Sequence, residues 1–424
     1  MHQKYGPIVR ISPEEVAIAD PAAFQEIHRI GSGYLKSPWY SSFRAGDSAD
    51  VFSMRDPHDH AQRRRLLAPL FSNSAIMQNW DAVIVDKISV AVNKMKDQLS
   101  RDGQIDVFKW WTLMTADVIS HLAFGESFGM LEQGEKTSEM QTIEAATKFG
   151  GFNSELPILA KLLRCIPNRA IQNFVNAEDN VQKFAEDTMR RVRYSGIKGT
   201  NMFSRIVNEN EKEGATLTDY QVAFEAAGFI VAGSGTTAVT FTYIIWAVLS
   251  HRAVQVKLEA EVGALADDYT DDDLKKLPYL SAVIEETLRL YGAAPGALPR
   301  TVPKGGATLG GYHIPGGITV STQAFSLHRD PRIYDAPESF MPERFIEENG
   351  NFQANKLAFH PFGAGTRTCL GIHLARMELR HGTALYFRTF KGSRLASQTT
   401  PESMDMVNHF LISPKAEQCW VELN

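Results

Sequence analysis

Residues 226–250 carry no charged side chain, and no other feature limits the possible folds as much. A run of that length either crosses a bilayer, which takes about 20 apolar residues, or lies buried in a large soluble core. Gly233-Ser234-Gly235-Thr236-Thr237 interrupts the run at its middle with polar and flexible residues, which argues for the core. The spacing predicts one long helix over residues 219–250, capped by Thr218 or Asp219. The chain can supply such a core, with 424 residues of which 44% are hydrophobic.

Helical spacing recurs over 58–72, 76–99, 106–123, 277–291 and 371–390, and residues 131–200 hold more polar helices broken at Pro157 and Pro167. Short strands are expected at 5–11 and 16–19 around Ser12-Pro13, and at 297–302 and 317–323. The predicted fold class is mainly α with a minor β-sheet, one domain over 1–424, with no internal repeat. A net charge of −5, with Arg63-Arg64-Arg65 as the densest basic cluster, gives no footing for nucleic acid. Three widely spaced cysteines, Cys165, Cys369 and Cys419, build no disulfide framework and point to a reducing compartment.

Cys369 closes the run Phe362-Gly363-Ala364-Gly365-Thr366-Arg367-Thr368-Cys369-Leu370-Gly371. Each fixed position suits a cysteine that binds haem iron as a thiolate, an electron-rich axial ligand that favours O–O cleavage. Gly365 and Gly371 allow backbone angles that a Cβ resists, so the loop can wrap the sulfur. Arg367 brings a cation within reach of a haem propionate, and Phe362 shields the sulfur from water. His373 lies four residues on, but no second Cys pair with zinc spacing exists, and zinc leaves the glycines unexplained. Mid-helix Gly233 and Gly235 cost about 1 kcal/mol each relative to Ala, which points to close approach of something flat or to local widening of the helix. Glu286 and Arg289 share one helix face, with apolar neighbours that favour burial. His60 and Arg64 likewise share a face.

The Cys369 run resembles the haem-binding signature of the cytochrome P-450 monooxygenases, and the resemblance extends over nearly the whole chain. Ala232-Gly233-Ser234-Gly235-Thr236-Thr237 is similar to the family's distal helix motif. There Thr236 matches the hydroxyl that orients dioxygen and relays protons, with Thr237 beside it. The usual acid is replaced by Gly235, so the acid–alcohol pair is incomplete. Glu286, Arg289 and Arg344 of Pro342-Glu343-Arg344-Phe345 match a buried network that braces the cysteine loop. His60, Arg64 and Arg300, with Arg367, match the holders of the propionates, although Arg63 or Arg65 would serve if the helix register differs. Phe362, Gly363, Gly365 and Gly371 complete the cofactor loop. Phe224, Phe229, Ile230, Ala232, Gly233, Ala293, Ala294, Ala297 and Leu298 fall in segments that line the pocket.

Several motifs, among them Ser326-Leu327-His328-Arg329-Asp330-Pro331, look like fungal members of secondary metabolism (terpenoid, polyketide or alkaloid). The resemblance implies haem b, an apolar substrate hydroxylated or epoxidised, and electrons from NADPH through a flavoprotein reductase docking near Arg63, Arg65 and Arg376. It also implies a monomer, with a full-length parent held at the cytoplasmic face of the endoplasmic reticulum by an N-terminal anchor absent from this chain. The chain as written is then expected to be a soluble domain. Two rivals remain: a reductase-independent haem-thiolate isomerase, motivated by Gly235, and a non-catalytic haem binder.

Overall fold

A computed structural model describes residues 1–44, 48–194, 201, 202, 204, 206, 217–346 and 358–423. The helices that frame the site are α1 (Pro57–Leu67), α2 (Asp81–Asp102), α3 (Val107–Phe124), α4 (Ser138–Glu155), α5 (Ala177–Tyr194), α6 (Asp219–Leu249), α7 (Arg252–Gly263), α8 (Pro278–Tyr291) and α9 (Ile372–Thr389). Helix α6 is the axis of the fold, packing against α3, α5, α8 and α9. Its start is capped by Thr218, whose hydroxyl accepts from Gln221 N while the Gln221 side chain accepts from Thr218 N. It is the one described helix long and apolar enough to cross a membrane, and two-thirds of it is buried inside the protein (67%). The uncharged run is therefore explained by core packing.

Helix α3 explains one of the two mid-helix glycines. A Cβ on Gly233 would lie 2.7 Å from Ile119 Cγ1, so the bare backbone is what lets α3 and α6 close together. A Cβ on Gly235 would meet only Leu411 Cδ1, at 3.8 Å. The helix stays α-helical throughout, so the expected widening does not occur; side-chain packing accounts for Gly233 alone.

The expected helix over 76–99 is two. Asn73–Asn79 ends at Trp80, whose backbone (φ −130°, ψ −10°) leaves the helical region, and α2 begins at Asp81. The break buries the Trp80 indole in the main core, a gain that periodicity does not register.

The strands are β1 (Ile8–Ser12), β2 (Glu15–Ile18), β3 (Leu35–Lys36), β4 (Arg300–Thr301) and β5 (Thr319–Thr322), in the sheet order β1-β2-β5-β4-β3. Only the β2–β5 pair is parallel, with Ala17 opposite Ser321. Lys36 pairs with Arg300 across β3 and β4, so the sheet sets two cations side by side. A later hairpin, β6 (Met406–His409) with β7 (Leu411–Pro414), turns at Phe410, a non-glycine residue at φ +86°. Its tip abuts α4 so closely that a Cβ on Gly151 would fall 2.6 Å from His409 O.

Candidate active site

The loop 360–371 leads into α9 and presents Cys369 to a cavity of about 470 Å³. Two positive-φ glycines shape it, Gly363 (+71°) and Gly365 (+65°), and a Cβ on Gly365 would fall 1.9 Å from His28 O. Gly371 departs from expectation: at φ −80° it needs no special backbone freedom. Its N–H points to the Cys369 sulfur, and a Cβ there would lie 4.0 Å from that sulfur, an ordinary contact. Cys369 N donates to Phe362 O (3.0 Å), which closes the turn. The Cys369 side chain is open to the cavity yet deep in the molecule. Burial pushes its thiol up, while the Gly371 N–H and the Arg64 guanidinium pull it down. The Phe362 ring lies under the Arg376 guanidinium at 5.5 Å.

His60, Arg64, Arg300 and Arg367 all line this cavity, and so does Lys36, which the sequence reading missed. Arg64 donates to Thr368 O (2.8 Å), Arg367 to Met54 O (2.8 Å), and Arg300 to Tyr40 Oη (3.1 Å) and Pro299 O (3.0 Å). The Lys36 ammonium donates to Phe52 O and lies 4.0 Å over the Tyr40 ring. Among the described residues, none of these four cations forms a salt bridge. Their crowding is legible in the protonation equilibria. Burial, then Arg300 and Arg367, hold Lys36 well below its ordinary range. Burial, then Arg300, lowers Arg367 to about 10, and burial with Arg367 and Lys36 lowers His60 to about 3.

Arg63, offered above as a propionate or reductase contact, does neither. It is turned inward from α1 and ion-paired with Glu225 of α6. Glu225 also accepts from Val51 N (2.9 Å); burial, then Asp50, raises its carboxyl to about 8. Arg65 is exposed, and Arg376 is ion-paired with Glu285. Among the described residues, Cys369 belongs to no cluster of three or more metal-ligating side chains.

The opposite wall is α6. Phe224, Phe229, Ala232, Gly233, Thr236 and Thr237 line the cavity, with Ala293, Ala294 and Leu298 from the segment after α8. Thr236 Oγ1 donates to Ala232 O (2.7 Å). Three expectations fail here. Gly235 faces Leu411 of the hairpin and is absent from the cavity wall. Ile230 is fully buried in the core. Ala297 lines a separate chamber of about 270 Å³ with Trp39, Gly151 and Asn408. Each error is a question of helix or strand face, which sequence spacing alone leaves open.

Glu286, Arg289 and Arg344 form the expected network. Glu286 and Arg289 meet through two bonds of 2.7 and 2.8 Å, and Arg344 Nε donates to Glu286 Oε1 (3.0 Å). Met341 N also donates to Glu286 (2.8 Å), and Arg289 donates to the carbonyls of His328, Pro337 and Ser339. The link to the cysteine loop is His328. Its Nδ1–H donates to Arg289 O (3.1 Å) and its Nε2 accepts from His360 N (2.9 Å). That pair of roles needs a neutral ring, and burial lowers His328 to about 3.

A thiol facing a row of desolvated cations across an apolar cavity defines the haem-thiolate class of site. This chain belongs to the cytochrome P450 family, whose profile matches residues 1–420. It is 40% identical over 431 residues to cytochrome P450 monooxygenase tazI of Aspergillus terreus, covering 100% of this chain and 87% of that one. It is 38% identical over 435 residues to cytochrome P450 monooxygenase stcB of Emericella nidulans, covering 100% and 82%. The crystal structure of the cytochrome P450DA heme domain superposes with a TM-score of 0.79 at 21% identity, over 98% of this chain and 88% of that one. The family implies a haem-thiolate cofactor, and the donor set fits it: one sulfur open to the cavity, and cations that lack the carboxylates two propionates would supply.

Proposed function

We propose that the chain is a haem-dependent monooxygenase that hydroxylates or epoxidises an apolar small molecule of fungal secondary metabolism, with electrons from NADPH through a separate flavoprotein reductase. The observation that carries this reading is the pairing, across one cavity, of the Cys369 loop with the Thr236 face of α6. Bound there, haem b supplies oxygen activation and transfer. Cys369 would hold the group by its sulfur, and His60, Arg64, Arg300 and Arg367, with Lys36, would neutralise its carboxylates. Thr236 keeps a hydroxyl at the wall, where it can pass protons. Phe71, Phe224 and Phe229 exclude water and favour an apolar substrate. Glu286, Arg289 and Arg344 hold the loop in place through His328.

The same reading includes membrane association at the cytoplasmic face of the endoplasmic reticulum, and one surface patch is consistent with contact with a membrane. Leu156, Ile158, Leu159, Leu162 and Ile166 are all exposed on and beside the short helix Pro157–Leu163, next to Lys161 and Arg164. Arg65 remains a candidate reductase contact.

The test is the absorption spectrum of the reduced, carbon-monoxide-bound protein. A red-shifted Soret band of thiolate type is the expected result. A band of neutral-thiol or histidine type would reject Cys369 as a thiolate ligand, and no haem band would reject the reading.

A further inference from the structure

Asp50, Glu225 and Glu378 line the cavity as acids. Two of them are engaged within the protein. Glu378, on α9, meets the Thr237 hydroxyl, while Glu225 is ion-paired with Arg63 and accepts from Val51 N with both oxygens (2.9 and 3.2 Å). Asp50, in the loop before α1, is only half used. Its Oδ1 accepts from Ser53 N (2.7 Å) and from the Ser53 hydroxyl, and its own N–H donates to Ser53 Oγ (3.1 Å), which fixes the side chain. Among the described residues, no donor reaches Oδ2. That oxygen sits against Gly228 of α6, where a Cβ would fall 2.9 Å from it. A mid-helix glycine costs about 1 kcal/mol relative to Ala, and here it makes room for a carboxylate. Asp50 is open to the cavity yet deep in the molecule. Burial raises its carboxyl, and the Ser53 bonds and the Lys36 ammonium pull it down. Phe71, Phe224 and Phe229 make the nearby lining apolar, so an acceptor left without a donor there is costly.

We propose that Asp50 Oδ2 anchors the substrate by accepting from a hydroxyl, and that the carbon oxidised lies at the far end of an extended, uncharged molecule. The inference rests on the monooxygenase reading. Gly228 precedes Thr236 by eight residues of α6, about 12 Å at ~1.5 Å per residue, and this spacing sets how far apart the two ends lie. A hydroxyl fits better than an ammonium, because the wall already carries Lys36, Arg64, Arg300 and Arg367. Two propionates would balance two of these four cations and Asp50 a third, so a cationic substrate would be opposed. A neutral O–H donating to a carboxylate makes a short, strong bond without that opposition.

Equilibrium dialysis of three extended probes against the haem-loaded protein tests this: para-hydroxybiphenyl, para-methoxybiphenyl and para-aminomethylbiphenyl. The hydroxyl probe is expected to bind about tenfold more tightly than the ether, which has no proton to donate. Asp50→Asn keeps an acceptor for Ser53 and turns an amide donor to the cavity, and the preference should fall to within about twofold. Gly228→Ala crowds Oδ2 and should also cut the preference; it reads the same contact should Asp50→Asn fail to fold. With a flavoprotein reductase and NADPH, para-hydroxybiphenyl should gain its oxygen on the ring remote from the hydroxyl. Equal binding of hydroxyl and ether, no binding of the hydroxyl probe, tightest binding of the amine, a preference unchanged in both variants, or attack on the hydroxylated ring overturns the proposal. Wild-type protein that binds haem and never oxidises NADPH defeats the monooxygenase reading instead, and leaves the binding result standing.

Discussion

Two charged clusters lie close to the cysteine loop and are built on opposite principles. In the Glu286 cluster, one carboxylate meets two guanidinium groups, and carbonyls of the neighbouring loop take up other Arg289 donors, so the acid is paired and the arginines are hydrogen-bonded within the protein. In the Lys36 cluster, three arginines and a lysine share one wall with carbonyls, a hydroxyl and a nearly unprotonatable histidine. The first is complete as it stands and belongs to the scaffold. On the reading proposed above, the second would be completed by a doubly anionic guest. Burial by itself does not tell structure from function; buried cations that form no ion pair within the protein do.

The largest expected effect is on the complete cluster. Arg289→Ala leaves the Glu286 carboxylate short of its main partner at 0% exposure, and should lower stability by about 3–5 kcal/mol or abolish soluble expression. Urea denaturation checks this. A loss under about 1 kcal/mol would erase the contrast between the clusters.

Removing a cation from the unbalanced cluster should act with the opposite sign on the cofactor-free chain. Arg300→Met relieves repulsion with Lys36 and Arg367, and should leave the haem-free protein as stable as before or more so by ~1 kcal/mol. Haem should dissociate about tenfold faster or more. Transfer of haem to an acceptor globin measures the second quantity.

The pH dependence sharpens the same comparison. His28, His60 and His328 are all lowered to about 3 from an ordinary 6.5, so folding keeps them neutral where the unfolded chain binds protons. Haem-free stability should fall as pH drops from about 6.5 toward 3, by about 1.4 kcal/mol per pH unit per histidine. Glu225 and Glu378, raised to about 8, keep protons that the unfolded chain loses, so their share falls as pH rises from about 4.5 to 8. Bound haem should reduce the share of the His60 part that its cationic neighbours cause, leave the share caused by burial, and leave the His328 part unchanged. Denaturation midpoints of loaded and haem-free protein across pH read this.

The smallest effect separates the two glycines. Gly233→Ala drives a methyl into Ile119 and should destabilise by about 1–3 kcal/mol. Gly235→Ala has room and should be neutral or stabilising by up to about 1 kcal/mol. Thermal unfolding of both variants decides it.

The features legible in the sequence are those carried by short runs. The Cys369 loop, the capped start of α6, and the Glu286–Arg289 pair all depend on residues within a few positions of one another. What sequence reading missed depends on which face meets which neighbour. Lys36 reaches the cavity because β3 pairs with β4 in one particular register. Glu378 reaches the cavity because α9 turns that face toward it. Arg63 and Arg64 are adjacent, and only the tertiary packing shows that the first serves α6 and the second the cavity. Ala297 and Leu298 are divided between two chambers in the same way.

Phe410, at the hairpin tip, lines both chambers. A side chain to which no part of the chemistry is assigned therefore stands between a space of about 470 Å³ and one of about 270 Å³. Trimming that residue would join the two spaces without altering any group assigned to the chemistry. The extent of the cavity and the groups assigned to the chemistry are thus set by different residues, and one codon could change the first while leaving the second intact.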